Sequence, residues 1–494
     1  AEAFTSFSLT WDEHMDMLKE VANINSVEGV THLVFHTYTH NPRTDFLPPG
    51  TSFGSGIGTP FLRGQTWWKH MPEFNAYLSR CSYLLERGKP VSDVLWYLGD
   101  EINHKPDQNY PFPEGFKYDY CNPDVLLNRL TVKDGMLVTP EGISYRVLWI
   151  PDAPRMLPQT LENIYTLIKD GATVIGNAPK GIVTLTGGKN AQKRFDAAVK
   201  KIWGKTVPKG VQKIGKGTLV SGTTLDVALN ELKIEPDVTG GDALWVHRKI
   251  EGADWYFVCA PQGKGFNGTL DFRTQGSVEL WDPVTGSITK IAGKNNGKRT
   301  SIALDLPKSG SCFLVFKPSG ESGKISVAKK SEGISTDIPF NRPWTLSFPS
   351  GWGAPSSIDI HQLQAWKDLD IAPEAKAFSG TVTYTTTFDA KDMAPGTVFS
   401  LDLGRVEMIA VVSLNGKQLR TLWAPPYRLD LTENIQSGIN TLSIEVTSTW
   451  FNRLVYDAGQ PEATRKTWTI NGPSKDAGLR DSGLLGPVKL YVQK

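Results

Sequence analysis

Five places in the sequence hold residues whose types and spacing could do chemistry. Glu2 stands in the opening run Ala1-Glu2-Ala3-Phe4-Thr5-Ser6, which reads as the end of a strand. Asp100 and Glu101 close the run Trp96-Tyr97-Leu98-Gly99-Asp100-Glu101, two acids just past a strand and a glycine. His36 and His40 lie in Phe35-His36-Thr37-Tyr38-Thr39-His40, Trp67-Trp68 follow Arg63, and Asp119 and Asp124 flank Asn122. Two carboxyl groups across a sugar-sized gap are what glycosidic bond cleavage needs, one to protonate the leaving oxygen and one to activate water or attack the anomeric carbon. Indole rings could wall such a gap, and histidines could bond sugar hydroxyls or hold a metal.

Each place also has a plainer reading. Glu2 could be a surface acid at a frayed terminus, and Asp100-Glu101 a solvated loop pair. The histidines are spaced i, i+4, which ligates zinc on a helix, but this segment does not read as helical. Trp67-Trp68 could equally pack a helix against a barrel. Asp119 and Asp124 are weaker candidates for the second carboxyl or for a metal.

The elements that must position these groups fall into four stretches. Residues 1–90 alternate strand and helix: Leu9–Val21 has helical apolar spacing, Val30–His36 suits a buried parallel strand, and Phe74–Arg87 is an amphipathic helix stopped by Gly88 and Pro90. A carboxylate at a strand tip is where (β/α)8 barrels keep catalytic groups. The expectation is therefore the C-terminal part of such a barrel, with the chain starting inside it.

Residues 91–240 show a βαβ rhythm. Strands are expected at Val91–Leu98, Tyr145–Ile150 and Ala172–Gly176, and helices at Asn122–Leu130, Pro158–Lys169 and Ala191–Ile202. This predicts a flavodoxin-like α/β domain. Short alternating strands over 241–320 predict a small β-sandwich. A linker-like stretch, 318–335, leads to a β-rich 336–494, where Thr381–Phe388 is strongly β-branched and Asn415-Gly416 marks a hairpin. A jelly roll, galactose-binding-like in type, is the expected architecture there.

Composition narrows the classes. Among 494 residues, 53 Lys and Arg against 51 acids give a net charge of +2, so no electrostatic footprint for nucleic acid exists. No apolar run is long enough for a membrane span, and no basic amphipathic stretch suits a membrane surface. The aromatic excess, 15 Trp, 14 Tyr and 21 Phe, favours carbohydrate-handling proteins, since flat rings stack on sugar C–H faces, although sandwich cores also use Trp. The four cysteines are far apart, with no zinc spacing. No P-loop, dinucleotide fingerprint, nucleophile elbow or kinase loop is present.

Taken in order, the motifs resemble the α-L-rhamnosidases of glycoside hydrolase family 106. The runs that carry this are AEAFTS (1–6), VFHTYTHNP (34–42), PPG (48–50), RGQTWW (63–68), YLSRCSYLLERGKPVSDVLWYLGDE (77–101), YDYCN (118–122) and VKDGMLVTPEGISYRVLWIP (132–151). LNG (414–416), WAPPY (423–427) and STWFNRL (448–454) are similar to the sandwich domains attached to this family and to β-galactosidase-like enzymes. The resemblance implies an exo-acting, inverting enzyme on terminal α-L-rhamnose of plant-type glycans, periplasmic or secreted, with calcium near the sugar. It implies Glu2 as one catalytic carboxylate and His36 and His40 lining the subsite, with Glu101 or Asp100 as the second acid. Some members have an acid directly after the Asn of the YDYCN-like motif; here Pro123 stands there and Asp124 follows, which leaves that second assignment open. The implied partners are a carbohydrate and an N-terminal fragment of the same enzyme, without which a partial barrel should be inactive. The competing expectations are a non-catalytic carbohydrate-binding assembly and a β-galactosidase-like glycosidase.

Overall fold

In a computed structural model of the chain, placement is described for residues 1–5, 11–41, 47–51, 57–101, 112–151, 155–204, 209–250, 252–318, 335–338, 340, 342–390 and 397–493. The fold is mixed α/β and rich in sheet. Among these residues no helix is long and apolar enough to cross a membrane.

The first stretch pairs two short parallel strands, β1 (Glu2–Ala3) and β2 (Val34–Phe35), joined through helix α1 (Met15–Val27). The helix begins later than its apolar spacing suggests, because Trp11 sits at φ 69° and residues 12–14 do not enter the first turn. Only two residues of the expected 30–36 strand are paired. Helix α2 (Met71–Leu85) has Pro72 in its first turn, where a missing N–H costs nothing. Phe4, Met15, Leu18, Phe61, Trp67, Phe74 and Tyr77 form one core with the strand Ala253–Cys259.

Strand β3 (Lys89–Pro90) does not continue this unit; it pairs antiparallel with Leu244–Ile250. The chain then enters a six-stranded sheet of order 210–214, 217–221, 173–176, 147–150, β4 (Val94–Tyr97), β5 (Tyr118–Cys121). All neighbours are parallel except the first hairpin. β4 and Val147–Ile150 are buried along their whole length, as a sheet covered on both faces requires. Helix α3 (Pro158–Asp170) and Gly188–Trp203 pack one face and Leu225–Glu231 the other. Where Asn122–Leu130 reads as a helix, a single π-helical turn, Val125–Arg129, forms; the Asn122 side chain still accepts the Val125 N–H at 3.0 Å. A helix at 225–231 was not apparent from the sequence.

Two further pairs of facing sheets follow. A four-stranded and a six-stranded antiparallel sheet enclose Tyr256, Phe272, Leu314 and Phe316. Past residue 340, the long strands Thr381–Ala390 and Gly438–Thr447 centre a six-stranded sheet that packs on a four-stranded one around Trp366, Tyr384, Leu401 and Leu490. Asn415 and Gly416 take φ 52° and 80°, as the two central positions of a type I′ turn demand. A short helix, Phe451–Ala458, interrupts this β-rich region.

Candidate active site

Alternation along β1 and β2 decides which way the first candidate points. Ala3 and Phe35 turn toward α1 and α2, where Phe35 stacks on Phe61 at 4.7 Å between ring centres. Their register neighbours Glu2 and Val34 face the other way and are exposed. Glu2 accepts a hydrogen bond from the Thr5 hydroxyl at 2.8 Å. Past the strand tips, His36 N–H donates to Ala3 O at 2.9 Å and Thr59 N–H to Phe4 O at 3.1 Å, which ties the loops after both strands together.

A cavity of about 560 Å3 opens beside this edge, lined by Glu2, Thr5, Glu13, Glu20, Thr59 and Lys308 among others. Glu13 was not singled out from the sequence. It is only 2% exposed, and neither carboxyl oxygen makes a well-formed hydrogen bond. Burial raises its pKa to about 7 against the pull of the backbone N–H groups of residues 11–13, the nearby Asp12 adding to the effect of burial. The Thr59 hydroxyl on the same wall is also buried and unpartnered. Burial and Lys308 lower His14 to about 4, so the imidazole next to Glu13 is neutral. Asp12 is raised by burial too, against the pull of Arg480 at 3.2 Å. An exposed acid and a buried carboxyl that keeps its proton near neutrality thus both line the cavity, a division of roles that acid–base chemistry uses.

The other candidates lie elsewhere. Both oxygens of Asp100 are occupied: it accepts from Tyr97 Oη at 2.7 Å, Thr160 Oγ1 at 2.8 Å and the Leu157 N–H at 2.9 Å, at the start of α3. Glu101 is ion-paired with Arg155. Neither lines the Glu2 cavity. His36 and His40 follow β2 but are not among its lining residues; His40 is exposed, and His36 crowds Gly58 so closely that a Cβ there would meet Nδ1 at 2.7 Å. Trp67 is corrected from a sugar wall to a core residue. It is 1% exposed, with its indole N–H bonded to Glu13 O at 3.2 Å, so no ring face is left for a ligand. Trp68 is half-buried against the same core. Asp119 accepts from Tyr145 Oη at 2.9 Å and Asp124 from Asn128 at 2.8 Å.

Among the described residues, no group of three or more His, Cys, Asp or Glu side chains could hold a metal ion.

The model of the glycoside hydrolase family 106 alpha-L-rhamnosidases matches residues 1–295. The chain belongs to that family. A solved rhamnosidase from Novosphingobium sp. PP1Y is 30% identical and superimposes with a TM-score of 0.88, covering 100% of this chain and 47% of its own. A Formosa agariphila protein provisionally assigned as a beta-glucuronidase is 25% identical, covering 100% of this chain and 62% of that protein. The chain therefore spans about half to two thirds of the length of these two relatives. The match to the rhamnosidase family ends inside the first sandwich, so the family signal rests on the part that carries Glu2, Glu13 and the parallel sheet.

Proposed function

We propose that the full-length protein is a glycoside hydrolase that releases terminal α-L-rhamnose from plant-type glycans with inversion. In this reading residues 1–90 are the C-terminal part of a (β/α)8 barrel, followed by a flavodoxin-like unit, a small sandwich and a jelly roll. Glu2 is the general base that takes a proton from the attacking water. Glu13 is the neutral carboxyl that gives its proton to the leaving glycosidic oxygen. The supporting observation is the shared cavity, lined by one exposed acid and one that is buried without a well-formed hydrogen bond.

For inversion the two carboxyl groups must flank the scissile bond with room for a water, roughly 6.5–9.5 Å apart. Asp100 and Glu101 are the competing choice for the second acid. The deciding measurement is Glu2→Gln in the full-length protein on an aryl α-L-rhamnoside, with the first-formed anomer read by NMR. A drop in kcat of about 100-fold or more, and an inverted product from wild type, is expected. Unchanged turnover would remove Glu2 from the mechanism.

The similarity to the Formosa protein favours a second reading, a β-glucuronidase, in which Lys308 on the cavity wall would face the uronate. Cleavage of a β-glucuronide with no action on the rhamnoside would select it.

A further inference from the structure

We propose that Trp468, in the C-terminal sandwich unit, is a sugar-stacking platform beside the loops that leave β1 and β2, binding the ring to which the departing sugar is joined. The proposal rests on the glycosidase reading above.

The segment that carries Trp468 is bolted down at its start. Asp457 accepts from the Lys466 N–H at 2.9 Å and the Thr467 hydroxyl at 2.6 Å, and is itself paired at 2.9 Å with Arg453, which is buried. Next, the Trp468 N–H donates to Pro48 O at 2.9 Å and the Gly50 N–H donates to Trp468 O at 3.1 Å, a ladder rung to the loop that leaves β2. Three residues on, Asn471 O accepts the Trp11 indole N–H at 3.2 Å. Trp11 is in the loop that leaves β1, two residues before Glu13. One short segment therefore bridges the loops at the C-terminal ends of both barrel strands, the edge where ligands of such folds bind.

Alternation then aims the rings. Thr467 is buried while Trp468 and Ile470 are 42% and 57% exposed, on the same side of the extended segment. Leu47, beside Pro48, is 40% exposed. A tryptophan fixed by backbone bonds and left with an open face is a preorganised flat surface, and its neighbours extend that surface with apolar area rather than charge. A pyranose has the matching shape: C–H faces for the indole and hydroxyls at its rim for water. In the reading above the departing sugar lies between the acids, and Trp468 is not among the residues that line their cavity, so the ring it would meet is the next one along.

The test uses the full-length enzyme and whichever terminal glycoside the wild type cleaves, as its methyl glycoside and as a disaccharide. Trp468→Ala should raise KM for the disaccharide about threefold to tenfold, while KM for the methyl glycoside moves less than twofold. Trp468→Phe should restore most of the difference, which a folding defect would not allow. Calorimetry of a rhamnosyl-hexose disaccharide on a Glu2→Gln background reads binding without turnover. Equal KM or equal affinity with and without the indole, or no binding by the parent protein, overturns the platform. Indole-dependent binding with no rhamnoside hydrolysis would instead sink the reaction assigned above and leave the platform standing.

Discussion

The Trp67 indole N–H donates to the backbone carbonyl of Glu13 across 3.2 Å, from one fully buried residue to another. That bond fixes the main chain of the loop after β1, while the Glu13 carboxyl itself makes no well-formed hydrogen bond. A buried acid in that state is costly unless it carries a proton, and acids held so cluster at functional sites.

Activity should follow that proton. With Glu13 near pKa 7, kcat/KM on an α-L-rhamnoside should fall as pH rises above about 7 and Glu13 ionises. Glu13→Gln should lower kcat by about 100-fold or more and abolish this limb. Rates at pH 5–9 for wild type and variant check it; an unchanged limb in the variant would assign it to another group.

Stability should carry the same signature with a defined sign. Between about pH 4.5 and 7 the folded protein keeps a proton on Glu13 that the unfolded chain has lost, so stability falls as pH rises through this window. The effect is at most roughly 3 kcal/mol. Glu13→Gln should flatten the slope, which melting curves across that range would reveal.

Asp100 should behave as a structural residue. Asp100→Ala removes three hydrogen bonds at the start of α3, at about 1 kcal/mol each, and strands the buried Thr160 hydroxyl. Faster hydrogen exchange in α3 and β4 is expected, together with a lower melting temperature. A variant that melts normally yet hydrolyses nothing would return Asp100 to the catalytic candidates.

His247 predicts a second pH effect. Its Nδ1 bonds Asp237 at 2.7 Å and its Nε2 bonds Asp254 at 2.9 Å. Burial pushes the imidazole down, but the two carboxylates outweigh it and the pKa is raised. The stabilisation is complete below about pH 6.5 and is lost as pH climbs through the folded value. His247→Gln should remove this loss, read as hydrogen exchange in Leu244–Ile250 on a Glu13→Gln background.

Legibility in the sequence followed locality. The parallel strands at 94–97, 147–150 and 173–176 announce themselves as short apolar runs, and the Asn415-Gly416 turn is written in two residues. The strand that holds Glu2 is legible in the opening run. The burial of Glu13 is not: Trp11-Asp12-Glu13-His14 reads as ordinary acids ahead of a helix, and its 2% exposure is a tertiary property. Trp67 fails for the mirror reason, since an indole's exposure is a tertiary property. Trp468 belongs to a partnership between segments more than 400 residues apart, for which no local pattern exists.

His247 also touches both ends of the parallel-sheet stretch. Its backbone carbonyl accepts the Val91 N–H at 3.0 Å just after β3, and its ring holds Asp237 just before the chain rejoins the sandwich. Entry and exit of some hundred and fifty residues thus meet at one side chain. A short turn at that side chain would close the gap if the module were removed, so the βαβ unit has the geometry of an insertion between neighbouring strands.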